Sequence, residues 1–233
     1  MVIKRFKMKI ETFDISMLGK EKKLHTFVNP YSFYIFEKYD ERFKDQFFIY
    51  SDGISLVKIH NFFKENNIKR CSFDFTSLAP IIFQYSIEKQ LSIGLVGGTS
   101  DEVKVAASVL KSKYPMLNIS FIHHGFIKGS EIDVINEMIE LEVDIVIAGL
   151  GTPFQEEFIS KCNQYMNSLK FAFTCGGFIS QISVNENYFH PFFDKLHLRW
   201  AQRFVRHSYV RKRVLIDYPR FFIKYIWNNV NGK

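Results

Sequence analysis

The stretch GLGTPFQEEF, residues 149–158, places glycines, a proline and an amide side chain directly after the apolar run DIVIA. Glycine lets a backbone approach a ligand closely and adopts conformations that other residues avoid. Glu156 and Glu157 suit the first turn of a helix, whose N-terminus carries a partial positive charge and attracts anions. Gln155 adds a hydrogen-bond donor and an acceptor at the same place. The stretch therefore predicts a strand-to-helix turn that binds a polar or anionic ligand.

Further turns share this character, since each is polar or rich in glycine and each follows a strand-like apolar run. In a parallel sheet the carboxyl ends of the strands meet at one edge, where ligands bind. Together the turns predict one site for an anionic ligand such as a nucleotide, although each glycine alone is explained equally well by a tight turn. The turns are Asn29-Pro30, Ser51-Asp52-Gly53, Gly97-Gly98-Thr99 and His123-His124-Gly125.

The elements that must position these turns alternate between strand and helix. Such alternation predicts an α/β fold with a Rossmann-like, mostly parallel sheet and helices on both faces. Ser100 is the expected N-cap of the helix that follows Thr99. Strand-like runs cover residues 24–29, 46–52, 91–96, 117–122, 143–150 and 169–175. Helix-like segments cover residues 31–40, 53–66, 76–89, 100–114 and 130–141, and a further one runs from the opening stretch to about residue 165.

The composition fits a folded chain without a membrane span. Hydrophobic residues make up 47% and charged residues 24% of the 233 residues, which is enough apolar material for a core. No apolar run reaches the roughly 18 residues of a transmembrane helix, and the N-terminus lacks the apolar segment of a signal peptide. The three cysteines are few and far apart, so we expect buried, reduced thiols and a cytoplasmic protein.

Residues 196–233 carry the positive charge of the chain. They contain nine Lys or Arg and one acid, a net charge of +8, so residues 1–195 carry −1 of the total +7. Arg199, Arg203 and Arg206 have the spacing of one helical face, and aromatic residues lie between them. We therefore expect an α/β domain over 1–195 and a basic, aromatic, helical appendage over 196–233. Its partner is an anionic membrane or nucleic acid, unless its aromatics simply pack on the body.

Other function classes lack their motifs. The sequence contains neither the G-x-G-x-x-G dinucleotide fingerprint nor a G-x-x-x-x-G-K-[ST] phosphate loop, which disfavours a nicotinamide oxidoreductase and a triphosphatase. His123 and His124 have no cysteine or carboxylate nearby with metal-ligand spacing, so we expect no metal site. A nucleic-acid-binding module explains the basic tail but not the row of turns at strand ends, and an oxidoreductase explains only the α/β body.

Motifs along the chain occur in a definite order: SDGISLV, GLVGGTSDEV, YPMLNISFIHHGFI, DIVIAGLGTPFQEEFI and FTCGGFI. In order and spacing they resemble the WecG/TagA/CpsF glycosyltransferases (glycosyltransferase family 26) from about residue 25 to about residue 213. The most specific motif is G-x-G-x-P-x-Q-E, which spans residues 149–156.

The resemblance implies a bacterial enzyme on the cytoplasmic face of the plasma membrane. It implies transfer of an N-acetylmannosamine-type or related sugar from a UDP-sugar to a lipid-diphosphate-linked sugar acceptor, with inversion and without a metal or other cofactor. The products would feed capsule, teichoic acid or exopolysaccharide synthesis. A homo-oligomer is possible, and nucleic acid is not an expected partner.

The resemblance also assigns residues. Asp52 is the implied catalytic base and Gln155 the implied contact to the donor, whereas a helix cap and a solvated first-turn residue are their plain alternatives. Glu156 is either a substrate contact or a favourable first-turn acid. The arginines of the tail would close over the diphosphate. The expected substrate-binding residues are Asn29, Gly53, Gly97, Gly98, Thr99, His124, Gly149, Gly151, Pro153, Gln155, Glu156, Gly177, Arg203 and Arg206.

Departures from the family pattern concentrate near the expected sugar and acceptor region. Phe27 stands where the family has Thr, and Thr26 precedes it by one residue, which on a strand puts it on the opposite face. FISQ replaces a Phe-Asp motif after the last glycines, and only Pro191 remains of an Arg-Ala-Pro motif. These changes bear on the donor sugar more than on the reaction class.

Overall fold

The computed structural model describes residues 8–19, 23–65, 67–184 and 211–231. Its strands form one six-stranded parallel sheet in the order β2-β1-β6-β5-β3-β4, which confirms the predicted α/β fold. The strands are β1 Leu24–Val28, β2 Phe47–Ser51, β3 Ile93–Gly97, β4 Ile119–His123, β5 Ile145–Gly149 and β6 Phe171–Thr174. Each begins and ends within a few residues of its apolar run in the sequence.

Helices connect the strands. A 3-10 helix at Ile15–Gly19 precedes β1, and a π-helical turn at Arg213–Asp217 precedes the last helix. No helix in the described part of the chain is long and apolar enough to cross a bilayer. The α-helices are α1 Ser32–Glu37, α2 Glu41–Lys44, α3 Ile54–Phe63, α4 Leu78–Glu88, α5 Ser100–Lys113, α6 Glu131–Glu140, α7 Phe154–Tyr165, α8 Phe178–Val184 and α9 Tyr218–Val230.

The sheet is covered on both faces, as predicted. Successive residues of β5 show this, because Val146 and Ala148 belong to one core cluster and Ile145 and Ile147 to the other. The first cluster includes residues of α1, α3, α6, α7 and α9, and the second includes residues of α4, α5 and α8. Near-continuous apolar strands are typical of parallel sheets buried on both faces.

The N-cap expected at Ser100 is wrong by one residue. Thr99 is the N-cap of α5, because its backbone is extended and its hydroxyl accepts a hydrogen bond from the Glu102 backbone N–H. The Glu102 carboxylate in turn accepts from the Thr99 backbone N–H at 2.7 Å. Two otherwise unpaired N–H groups are thereby satisfied, which a cap at Ser100 would not achieve at this spacing.

Helix α9 packs against the first core cluster. Phe221 and Tyr225 are buried, and both contact Phe33 of α1 edge to face. The Tyr225 hydroxyl lies 3.0 Å from Nδ1 of the buried His60 in α3. Phe221 and Tyr225 therefore attach α9 to the body. The division of the chain at residue 195 stays a prediction, because residues 185–210 lie outside the described part.

Candidate active site

A cavity of about 1250 Å³ opens at the carboxyl ends of the strands. Turns that follow all six strands contribute to its wall, because parallel strands end at the same edge of the sheet. Ligand sites usually measure about 300–1000 Å³, so this one has room for two substrates. The predicted residues that line it are Asn29, Asp52, Gly53, Gly98, Thr99, Gly149, Gly151, Gln155 and Gly177.

Other predicted residues lie beside or beneath the cavity. Gly125 and Phe126 line the wall in the histidine turn, whereas His124 does not. The side chain of Phe126 is strongly exposed there. The turn therefore contributes backbone and a phenyl ring rather than an imidazole. The predicted residues that are absent from the wall are Gly97, His124, Pro153 and Glu156.

Asp52 follows β2 directly and is held from two sides. Its backbone N–H donates to the carbonyl of Val28 at the end of β1, at 2.9 Å. Arg70 donates from Nε to the Asp52 carbonyl at 3.0 Å and from Nη2 to Asp52 Oδ1 at 3.3 Å. The Asp52 side chain nevertheless remains 30% exposed on the cavity wall. A positioned carboxylate that a ligand can reach has what a general base needs.

Arg70 and Asp74 complete a charged cluster with Asp52 that the sequence motifs did not assign to the site. Arg70 Nη2 lies 2.9 Å from Asp74 Oδ2 and 2.5 Å from Ser72 Oγ. Burial opposes the charge of Arg70, but Asp52 and Asp74 outweigh it and raise the pKa of the guanidinium. The available signal was the alternation of polar residues at 70, 72 and 74, which in an extended segment point to one side.

Backbone packs against backbone where the strands end. Gly97 pairs with Gly149 in the sheet, and a Cβ on Gly97 would lie 2.8 Å from the Gly149 carbonyl oxygen. A Cβ on Gly149 would lie 2.7 Å from the carbonyl oxygen of Gly176. The Gly125 N–H also donates to the Gly98 carbonyl at 2.8 Å. These glycines are therefore required for the close approach of neighbouring turns at this edge of the sheet.

Asn29 has a definite structural task beside its place on the wall. Its Oδ1 accepts hydrogen bonds from the backbone N–H groups of Tyr31 at 2.9 Å and Ser32 at 3.1 Å. The amide oxygen thus stabilises the chain at the start of α1. Only the remaining polar atoms of Asn29 can bind a ligand without breaking this turn.

Gln155 and Glu156 differ in position although they are adjacent at the start of α7. Gln155 lines the cavity and is 4% exposed, whereas Glu156 is 1% exposed and lies behind it. Gln155 Nε2 donates to Glu156 Oε1 at 3.0 Å and to Thr152 Oγ1 at 3.2 Å. Burial raises the pKa of Glu156, and the hydrogen bonds to its carboxylate oppose that shift only in part.

The offset between Thr26 and Phe27 has the consequence expected of a strand. Thr26 is buried and its hydroxyl donates to Glu156 Oε1 at 2.9 Å, away from the cavity wall. Phe27 lines the cavity and packs on Tyr50 and Phe73. An aromatic ring therefore occupies the place on the wall that Thr26 does not reach.

The C-terminal segment also reaches the cavity. Arg213, Tyr218 and Phe222 line its wall, and the Arg213 guanidinium lies 3.9 Å from the centroid of the Tyr31 ring. Arg213 therefore places a cation beside the cavity. The sequence predicted only that its segment is basic. The predicted residues Arg203 and Arg206 lie outside the described residues.

Among the described residues there is neither a group arranged to hold a metal ion nor a disulfide. The described ranges contain no group of three or more His, Cys, Asp or Glu residues arranged to hold a metal ion. Cys71, Cys162 and Cys175 are buried free thiols, as expected. Burial raises the pKa of Cys71 and of Cys175 to about 12, so both stay protonated at neutral pH.

Comparisons with known proteins identify the family of this chain. The model of the glycosyl transferase WecG/TagA/CpsF family matches residues 6–233. The chain is 39% identical over 228 residues to the UDP-Gal:alpha-D-GlcNAc-diphosphoundecaprenol beta-1,4-galactosyltransferase of Shigella boydii, across 94% of this chain and 93% of the relative. It is 26% identical over 169 residues to the N-acetylglucosaminyldiphosphoundecaprenol N-acetyl-beta-D-mannosaminyltransferase of Staphylococcus aureus (strain NCTC 8325 / PS 47), across 72% of this chain and 64% of the relative. The chain therefore belongs to the glycosyl transferase WecG/TagA/CpsF family.

Proposed function

We propose that this protein is an inverting glycosyltransferase that moves a hexose from a UDP-sugar to a sugar linked through diphosphate to a membrane lipid. Membership of the family and the activities named for both relatives support the reaction class. One observation carries the assignment to this site: a single large cavity brings Asp52 from the end of β2 together with Gln155 from the start of α7.

The reaction requires one base and an environment that tolerates a diphosphate. A hydroxyl of the acceptor sugar attacks the anomeric carbon from the face opposite UDP, and its proton passes to the Asp52 carboxylate. The new C–O bond forms as the bond to the UDP oxygen breaks, and UDP leaves with the electron pair, so the anomeric centre inverts. Arg70, Arg213 and the N-termini of α5 and α7 supply positive charge around the cavity.

UDP-galactose is the first donor to test. The relative with 39% identity uses it, whereas the relative whose name specifies N-acetylmannosamine is 26% identical over a shorter region. The family resemblance by itself implies an N-acetylmannosamine-type or related sugar. Phe27 on the cavity wall, in the place of a hydroxyl side chain, supports a change in sugar recognition at this position.

A panel of UDP-sugars tests the function. Each donor is mixed with the full chain and a short-chain lipid-diphosphate-GlcNAc acceptor, and released UDP is measured with and without acceptor. We expect acceptor-dependent release with UDP-galactose and little with other donors, and we expect it to persist in EDTA because the sequence lacks an Asp-x-Asp motif. If none of the UDP-sugars gives acceptor-dependent release of UDP, the proposed function is contradicted. If EDTA abolishes the release and Mn²⁺ restores it, metal independence is contradicted.

Helix α9 presents a surface suited to the membrane that carries the acceptor. Ile223 and Trp227 are 68% and 61% exposed, and Ile226 and Val230 continue the same face one turn on. Arg220 and Lys224 are exposed on the same helix. We propose that this face contacts the anionic inner surface of the plasma membrane, where basic and aromatic helices bind.

Substitutions on the helix face test membrane contact better than truncation, because removal of Phe221 and Tyr225 would also open the core. The double variant Ile223→Glu/Trp227→Glu should reduce co-sedimentation with phosphatidylglycerol vesicles by about tenfold or more. Two apolar side chains that would enter the lipid on binding are then replaced by charged ones. Met116→Glu, at an exposed apolar site outside α9, is the matched control. Equal co-sedimentation of both variants would mean that α9 does not bind the membrane.

A further inference from the structure

Hydrogen bonds beneath the cavity converge on one oxygen of Glu156. Its Oε1 accepts from Thr26 Oγ1 at 2.9 Å and from Thr152 Oγ1 at 3.1 Å. It also accepts from Gln155 Nε2 at 3.0 Å. Thr174 Oγ1 extends the network by donating to Thr26 Oγ1 at 3.0 Å. The network thus joins β1, β6, the turn after β5 and the first turn of α7.

The network determines how the Gln155 amide is oriented. Its nitrogen has two hydrogens, and the two acceptors it meets are Glu156 Oε1 and Thr152 Oγ1. Its oxygen is buried and has no hydrogen-bond partner within the described residues. A buried acceptor without a donor is costly, and a bound hydroxyl or N–H group would remove that cost. Gln155 is therefore prepared to accept a hydrogen bond from a substrate and not to donate one.

We propose that Glu156 is a positioning residue, which contacts no substrate and holds the Gln155 amide with its oxygen available to a hydroxyl or N–H of the sugar nucleotide. The proposal rests on the proposed function, because it takes the ligand at Gln155 to be the UDP-sugar. Glu156 is absent from the cavity wall, and no cation contacts it within the described part of the chain. Its contribution is therefore the acceptor oxygen rather than a charge.

Burial gives this role a chemical signature. Desolvation raises the pKa of Glu156 and favours the neutral acid, whose carbonyl oxygen can accept the same hydrogen bonds as a glutamine side chain. Glu156→Gln should therefore preserve the position of Gln155, whereas Glu156→Leu keeps the volume and removes the acceptor. The two variants separate hydrogen bonding from charge and from packing.

The experiment compares Glu156→Gln, Glu156→Leu, Gln155→Ala and the double variant Gln155→Ala/Glu156→Leu in the full chain. We expect Glu156→Leu and Gln155→Ala each to raise the KM for UDP-galactose about tenfold with a smaller effect on kcat, as for one lost hydrogen bond to substrate. The double variant should be no worse than either single one, because both remove the same interaction. Glu156→Gln should stay within about threefold of the unsubstituted protein.

Other outcomes overturn the proposal. Multiplied losses in the double variant would show that Glu156 acts independently of Gln155, and equal damage from Glu156→Gln and Glu156→Leu would show that charge is what matters. If Glu156→Leu does not fold, the variant Thr26→Val is measured in its place. Thr26→Val removes one hydrogen-bond donor to Glu156, and residue 26 lies off the cavity wall. A normal KM in Thr26→Val with a lowered Tm would then leave only a structural role.

A control and a second readout complete the design. Ser86→Ala removes a buried hydrogen bond to the Ile82 carbonyl in α4 and should lower the Tm without changing the KM. Calorimetric titration with UDP-galactose measures affinity without turnover. Absence of transfer by the unsubstituted chain would contradict the proposed function, whereas the affinities of the variants still decide the role of Glu156.

Discussion

The two carboxyl groups at the site, Asp52 and Glu156, have opposite surroundings. The Asp52 side chain is 30% exposed, lies on the cavity wall and faces the Arg70 guanidinium at 3.3 Å. Glu156 is 1% exposed, lies behind the wall and receives hydrogen bonds from neutral side chains. An exposed carboxylate next to a cation keeps its charge at low cost, whereas a buried one without a cation is driven towards the neutral form.

This contrast assigns different chemistry to the same functional group. A base must be reached by the acceptor hydroxyl, and Asp52 on the cavity wall meets this condition. A structural acceptor must keep its geometry and gains nothing from contact with substrate, which describes Glu156. Asp52 on the cavity wall therefore takes part in the reaction, whereas Glu156 behind the wall positions another side chain. Substitutions at the two positions should change kcat and KM differently.

The largest effect is expected from Asp52→Asn. The amide can still accept from Arg70 but cannot take the proton of the acceptor, so kcat should fall by about 10² to 10⁴. Because the side chain is partly exposed, the stability change should be about 1 kcal/mol or less. Transfer rate and Tm are measured with the best donor and acceptor, with Asp101→Asn in the first turn of α5 as control. Unchanged turnover would transfer the role of base to another group, with Asp74 the first to test.

Arg70→Met should have the next largest effect. It leaves the Asp52 and Asp74 carboxylates facing each other without the cation between them, so Asp52 shifts from its position. We expect kcat to fall by about 10²-fold, the usual cost of misplacing a reacting group by about 1 Å. Arg70→Lys keeps the charge without the planar fork and should recover part of the rate. A normal kcat in Arg70→Met would show that Asp52 is held by other contacts.

The smallest effect is on the pH dependence of stability and concerns Glu156. Its folded pKa is raised by burial, so its stabilising contribution is complete below the ordinary value of about 4.3 and declines as pH rises towards the folded value. Relative to Glu156→Gln, the unsubstituted protein should therefore lose stability with increasing pH, by up to about 1.4 kcal/mol per unit within that window. Tyr39 does not titrate there, since burial and its bond to Glu157 raise its pKa.

Urea unfolding between pH 5 and pH 8 measures this difference. Glu140→Gln, at an exposed position near the end of α6, is the matched control and should give a constant difference. A difference between the unsubstituted protein and Glu156→Gln that does not change with pH would mean that Glu156 is ionised in the folded state. The contrast with Asp52 would then concern exposure alone and not protonation.

Local patterns in the sequence were sufficient for the elements and for much of the wall. Apolar runs followed by glycine or polar turns predicted the strands, and a parallel sheet brings their carboxyl ends to one edge. Asn29, Gly53, Thr99 and Gln155 accordingly line one cavity. The same reasoning was less accurate for His124, because it places a turn beside a site but not the direction of each side chain within the turn.

Contacts between distant segments lay beyond such patterns. Arg70 binds Asp52 because residue 70 bridges to Ser51 at the end of β2, and no local periodicity reports that pairing. Glu156 meets Thr26 because α7 covers the face of β1 on which Thr26 points. Arg213 reaches the cavity because α9 packs on α1 and α3 through Phe221 and Tyr225.

By itself the sequence determined the α/β class, the row of turns at the strand ends, the basic tail and, through its motifs, the family. These follow from local causes: apolar periodicity, glycine at turns, helix-start acids and charge composition. Only the tertiary structure decided which carboxyl group lies on the cavity wall beside a cation and which is buried among hydroxyls. Burial and the identity of partners depend on segments far apart in the chain, and those two quantities decide whether a carboxyl group acts as a base or as a hydrogen-bond acceptor.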